Sequence, residues 1–341
     1  MPSARYVSAE AARHDGAMAS VARLRPRTTR LAVAALLAAS TFAGPLAAGA
    51  GTPVGAADDV AGAAFVPVTP CRLLDTRDSV DRPGPALAAG RTVTIDVAGR
   101  CNVGEAAVAA ALTLTVVDPD AAGYATLYPD GAPPATSTVN YRVGEVVANM
   151  ALTRLADGSV RAYTMSAAHL VVDVTGWFRP ASAPADDGSG RFVALPPERV
   201  LDTRGSSRPG AGATLRVGTD VPADAVAVAV NLTTADTEGA DVFTVFAAGA
   251  RRPNASVLNV DRVNQSRAAA ALVPVTDGEF DVYTAFGNHV IVDLLGYFAG
   301  PTDDLADDLE PTDAGLFVPV EPFRLVDTRQ ARGAEGGPRL W

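Results

Sequence analysis

The stretch HLVVDVTGWF, His169–Phe178, returns 120 residues further on as HVIVDLLGYF, His289–Phe298. β-branched and aromatic residues dominate both, which favours an extended chain in which alternate residues share a face. Leu170, Val172 and Val174 then line one face, and Val171 lies on the other, where Asp173 interrupts the apolar run; Asp293 matches Asp173 in the second writing. A strand apolar on both faces must be covered on both, so each stretch reads as the central strand of a sheet. One carboxylate at the same place in both writings needs a partner.

That partner is sought at the other end of each copy. FVPVTPCRLLDTR (Phe65–Arg77) precedes the first closing stretch, and FVALPPERVLDTR (Phe192–Arg204) precedes the second. A third opening, FVPVEPFRLVDTR, starts at Phe317. Between opening and closing the matches continue, with STVNY (137–141) beside SVLNV (256–260) and LADGSVRAYT beside VTDGEFDVYT. Similarity along the whole length means a duplicated domain of about 110 residues,. The expected organisation is a signal segment with an N-terminal extension at 1–50, a linker at 51–64, repeat one at 65–178 and a linker at 179–191. Repeat two follows at 192–298, then an acidic linker at 299–316 and a truncated third repeat at 317–341.

Inside each copy, runs of five to nine residues such as VAAALTLTVV, YATLYP and SVRAYT alternate with Pro, Gly, Asn and Asp. That period and punctuation predict eight or nine short strands with Asp157-Gly158 and Asp277-Gly278 as hairpin turns. So many strands in one copy must fold into two layers to protect their edges. The fold class is therefore all-β: two tandem β-sandwich, jelly-roll-like domains with a truncated third copy.

The first thirty residues hold six arginines against Glu10 and Asp15, followed by LAVAALLAASTFAGPLAAGA. A basic start, an apolar run, Gly44-Pro45 and the small residues Ala48-Gly49-Ala50 predict a secretory signal cleaved near Ala50. Retention as a membrane anchor is the alternative. Removing those six arginines and two acids from the chain's 28 and 38 leaves 22 against 36, a mature charge of about −14. Such a surface makes nucleic acid an unsuitable partner. In an oxidising compartment Cys71 and Cys101, the only cysteines, are expected to form a disulfide,. Glu198 stands in repeat two where Cys71 stands in repeat one, so no thiol site is shared by the copies.

The candidate site is the repeated R-x-x-D-T-R: Arg72, Asp75 and Arg77 with Asp173, and Arg199, Asp202 and Arg204 with Asp293. Simple alternation places Leu73, Asp75 and Arg77 on one face and Arg72, Leu74 and Thr76 on the other. Charges among apolar strands need pairing, so the cluster reads as a structural lock between the first and last strands. The alternative is a ligand clamp in which arginine forks onto a carboxylate or a sugar hydroxyl. Trp177 and Tyr297 either stack on a sugar ring or finish a core. His169 and His289 head the closing strands without a serine or cysteine motif beside them, and no metal-ligand cluster is visible. The acids at Asp303, Asp304, Asp307, Asp308 and Glu310 lack the spacing of a calcium loop and read as a solvated run,.

With these segments in place, the chain resembles a largely uncharacterised tandem repeat of secreted and cell-surface actinobacterial proteins. Its copies open with a P-x-R-L-L-D-T-R-like segment and close on a V-I-V-D-V-x-G-Y-F-like strand. The resemblance implies no catalytic residues and no cofactor. The expected protein is exported, non-catalytic and envelope-associated or extracellular, a spacer or binding module without a membrane segment once mature. Its expected partners are a cell-wall or extracellular glycan or another surface protein. A secreted carbohydrate-active hydrolase, or its accessory module, is the alternative. It requires a groove lined by acids and exposed aromatics in the same place in both copies. The opening at Phe317 could also add a strand to another molecule's sheet.

Overall fold

Repeat one lays down β1 (Ala63–Asp75), β2 (Arg91–Asp96), β3 (Ala109–Val117), β4 (Gly123–Tyr128), β5 (Val139–Tyr141), β6 (Val146–Arg154), β7 (Ser159–Thr164) and β8 (His169–Pro180). Repeat two follows with β9 (Arg191–Asp202), β10 (Thr214–Gly218), β11 (Ala227–Ala235), β12 (Asp241–Ala247), β13 (Leu258–Val260), β14 (Arg267–Pro274), β15 (Glu279–Thr284) and β16 (His289–Ala299). This computed structural model describes residues 62–77, 85–183, 188–300, 315–320 and 322. The signal segment, most of the acidic linker and the third R-L-V-D-T-R lie outside the described residues.

All pairings within the sheets are antiparallel, and the sheet orders are β1-β8-β3-β6 and β2-β7-β4-β5 in repeat one. Repeat two repeats them as β9-β16-β11-β14 and β10-β15-β12-β13. An eight-strand sandwich ordered 1-8-3-6 and 2-7-4-5 is a jelly roll. The closing strand lies between the first and third strands in each copy, as its two-sided apolar pattern requires,. The hairpins between β6 and β7 and between β14 and β15 turn at Asp157-Gly158 and Asp277-Gly278, all four at positive φ. Aspartate and glycine tolerate that conformation, and the resulting turn matches the twist of the strands.

Each sandwich is filled by the inward faces of its two sheets. In repeat one Leu112, Leu114, Val116, Leu170, Val172 and Val174 meet Ile95, Leu127, Val160 and Ala162. In repeat two Val228, Val230, Leu232, Val290 and Val292 meet Phe243, Val245, Phe280 and Val282. Each fully buried Val, Leu or Phe contributes about 1.5–3 kcal/mol relative to leaving it in water.

A bulge in the closing strand creates a third core. Ala111 pairs with Gly176 and Leu112 with Val174, so Thr175 is an extra residue and the alternation reverses beyond it,. Trp177 therefore points into the sandwich and Phe178 points out. Repeat two repeats the device: Ala229 faces Gly296, Val230 faces Leu294, and Leu295 is extra, which sends Tyr297 inward and Phe298 outward. The outward phenylalanines pack with Phe65, Leu272 and the alanines 109, 111, 227 and 229 into one cluster shared by both repeats. Small residues on the facing strands let the sheets approach closely, and the rings fill the space between them. The two jelly rolls thus belong to one compact body.

Candidate functional site

The repeated D-T-R lies where the first strand runs beside the closing strand, and a second bulge arranges it. Arg72 pairs with Asp173 but Leu74 pairs with Val172, so Leu73 is the extra residue. Arg199, Val200 and Leu201 repeat this against Asp293 and Val292. Simple alternation is corrected here, because the added residue brings Arg72 round to the side of Asp75 and Arg77 while Leu73 and Leu74 both meet the core,.

In repeat one the Arg72 guanidinium donates from Nε to Asp173 Oδ1 (3.0 Å) and from Nη1 to Asp75 Oδ2 (2.9 Å). Arg77 forks onto Asp75 through Nε (2.9 Å) and Nη2 (2.7 Å), and its backbone N–H donates to the same carboxylate. In repeat two Arg199 reaches Asp293 (2.8 Å) and Asp202 (3.4 Å), and Arg204 forks onto Asp202 at 3.0 and 2.6 Å. Asp202 also caps a short 3₁₀ turn, Thr203–Gly205. In each of the two described copies the four sequence-predicted residues are thus brought together, and each arginine of those two motifs is held by a carboxylate of its own copy.

The electrostatics follow the burial. Arg77's hydrogen bonds hold the Asp75 carboxyl below the ordinary aspartate value, and Arg204 does the same, more strongly, for Asp202. Burial pushes Asp173 up, against the opposing pull of Arg72,. The Asp173 side chain is 1% exposed and that of Asp293 23%. The carboxylate on the closing strand is dry in one lock and wet in the other, although the motifs match.

The middle residue of D-T-R completes the tie, and inspection of charges alone misses it. Thr76 Oγ1 lies 3.2 Å from His169 Nδ1 and accepts from the Leu170 N–H at 2.9 Å. Thr203 does the same with His289 (3.1 Å) and the Val290 N–H (2.9 Å). The signal was present in the sequence, since the threonine recurs in every opening and the histidine in both closing strands.

Trp177 and Tyr297 are corrected as ligand contacts. They are 7% and 2% exposed and sit in the two cores, because the bulge beside Gly176 and Gly296 turns them inward. Cys71 and Cys101 form the expected disulfide, with Cα atoms 5.8 Å apart across a separation of 30 residues, joining β1 to the loop after β2. Asp241 is a second unforeseen hub. Its carboxylate accepts from Thr284 Oγ1 (2.6 Å) and from the backbone N–H groups of Ala285 (2.8 Å) and Phe286 (2.9 Å). Repeat one has Gly123 at that place and uses the Tyr141 hydroxyl, which bonds Tyr124 O, Thr164 Oγ1 and the Ser166 N–H.

Between the repeats lies a cleft of about 620 Å³ that brings Arg72 and Arg77 opposite Arg251 and Arg252. Arg252 stacks 3.8 Å over the Tyr283 ring. Among the described residues its lining is arginine and uncharged side chains. Among the described residues no group of three or more His, Cys, Asp or Glu gathers as a metal site, and no helix is long and apolar enough to cross a membrane.

No family model matches the chain, and no curated protein matches it. Among solved structures, the STIV MCP is similar at 10% identity and a TM-score of 0.20, over 67% of this chain and 96% of that one. The tandem CBM22-1-CBM22-2 domain of Paenibacillus barcinonensis Xyn10C is similar at 13% identity and a TM-score of 0.19, over 68% of this chain and 98% of that one. Likenesses of that size carry no argument about this protein, and the jelly-roll assignment rests on its own strand order.

Proposed function

We propose that the chain is an exported, non-catalytic tandem β-sandwich protein of the cell envelope or extracellular space, acting as a structural spacer or as an adhesion and binding module. The observation that carries this reading is the mutual satisfaction of the D-T-R charges. The arginines that a clamp would aim at a ligand are engaged by Asp75, Asp173, Asp202 and Asp293, and they tie the first strand to the last. A residue set duplicated for holding strands together is what a load-carrying or surface-presenting module needs. The basic-then-apolar N-terminal segment, the Cys71–Cys101 bond and the resemblance to repeats of exported proteins support the location,. Acidic charge favours partners other than nucleic acid; a cell-wall glycan or another surface protein fits the reading.

A glycan and peptidoglycan binding screen on the chain from residue 51 onward tests it, repeated with Asp75, Arg77, Asp202 and Arg204 changed to alanine. Loss of stability in the variant, with any binding by the parent mapping elsewhere, is the expected result. Binding that vanishes while the variant stays folded makes D-T-R a ligand clamp and overturns the lock. Turnover of a glycan by the parent overturns the non-catalytic reading.

A further inference from the structure

The three openings are joined in a closed cycle. In each, the residue two before the phenylalanine pairs with the phenylalanine of another opening. Ala63 and Phe317 exchange both backbone hydrogen bonds (2.9 and 2.8 Å), and Gly190 and Phe65 do the same (2.9 and 2.8 Å). Gly315 O accepts from the Phe192 N–H at 2.8 Å. Opening one thus contacts three, three contacts two, and two contacts one. Three heterologous contacts, two with both backbone bonds and one with a single bond, close on themselves about a pseudo-threefold axis,. The described part of the third opening is therefore engaged within its own chain.

Ring stacking obeys the same rotation. Phe65 of opening one stacks on Phe298, the closing residue of repeat two, at 4.5 Å. Phe317 of opening three stacks on Phe178, the closing residue of repeat one, at 4.3 Å. Phe192 has no such neighbour among the described residues; its ring contact is with Phe298 of its own repeat. The sheets follow suit. Repeat two lays its edge, including Thr244 and Asn259, over the outer face of repeat one at Thr115, Val171 and Arg72. The matching edge of repeat one, at Thr126 and Leu152, meets Val320 and Pro322 of the third opening across a hollow of about 270 Å³.

Exposure marks the unfilled place. Leu272, in the interface, is 6% exposed, whereas its counterpart Leu152 is 40% exposed. β1 is buried at Phe65, Val68 and Leu73, while β9 is nowhere fully buried. Asp293 is wet where Asp173 is dry for the same reason: an edge covers one face and not the other.

We propose that the outer face of β9, β16 and β11, together with the edge of repeat one at Thr126 and Leu152, is the docking surface for a third jelly roll of this same repeat. With that domain docked, three jelly rolls form a ring about the phenylalanine triangle. The third repeat sets its edge on repeat two as repeat two sets its own on repeat one. The inference is independent of whether the protein binds a glycan.

The test places residues 205–300 of repeat two after Arg329, giving three full repeats, and compares this chain with the parent by hydrogen exchange and small-angle scattering. The expected result is slowing of the β9 amides by about tenfold or more, towards the rates of β1, and a three-lobed disc. A folded third repeat with β9 exchanging as in the parent, or lobes in a row, overturns the proposal. Leu152→Asp is expected to undo the slowing in the extended chain and to leave the exchange of β9 in the parent unchanged. Should the added repeat not fold, the parent alone decides, because equal exchange in β1 and β9 overturns the open flank. Self-association of the parent that slows β9 makes a second chain the occupant and overturns the commitment to a third repeat.

Discussion

Arg72 and Arg199 occupy equivalent places in two nearly identical sentences, yet they serve carboxylates in different surroundings. Removing Arg72 strands Asp173, which is 1% exposed, and should cost about 3 kcal/mol, whereas replacing both partners by well-packed apolar residues should recover most of it. Arg199→Ala leaves Asp293 to water and should shift the denaturation midpoint far less; urea unfolding of the two variants side by side checks the contrast. Acid separates the carboxylates further. Asp75 and Asp202 titrate below the ordinary value of 3.8 when folded, so the stability they add is complete above that value and is lost as the pH falls through their lowered values,. Asp173 titrates above 3.8 when folded, so the native chain binds its proton more tightly and acidification through that range favours folding,. Asp75→Asn should flatten the acid limb of a melting-temperature profile and Asp173→Asn should steepen it. The sequence made the pairing of these residues legible. It did not reveal which arginine takes which aspartate, because a single inserted residue in the strand changes the side on which Arg72 emerges.

At the scale of the strand, inserted residues decide most of what periodicity could not. Strict alternation along His169–Phe178 places Phe178 with Val174 in the core and Trp177 outside, whereas the extra Thr175 reverses both. Gly176 and Gly296 sit at these bulges because the opening phenylalanine and its neighbours press against them. A Cβ on Gly296 would lie 2.7 Å from the Phe192 ring. Gly296→Val is therefore expected to destabilise by about 1–3 kcal/mol through overpacking, measured by thermal melting. The disulfide acts on the same first strand from the other side. Cys71→Ser with Cys101→Ser should lower stability by about 3 kcal/mol on the loop-closure model, measured as the shift of the urea midpoint.

At the scale of the molecule, the repeats share a core of phenylalanine and alanine, so they should unfold together. Ala111→Asp puts a carboxylate into that shared cluster, where Ala111 is fully buried. It should split a single calorimetric transition into two while leaving each sandwich able to fold, because the separate cores are untouched. The sequence by itself determined the duplication, the all-β class, the central closing strand, the hairpin turns and the disulfide. Each of these is local in the chain or is a property of its period, and steric preference and burial pattern fix such features before any long-range contact forms. Only the tertiary structure decided the partners in each D-T-R, the inward turn of Trp177 and Tyr297, the third core and the cycle that joins Phe65, Phe192 and Phe317. Those depend on where a bulge falls and on which sheet covers which face. Two copies with the same residues can then differ in burial, because one face is covered by a neighbour and the other is open to water.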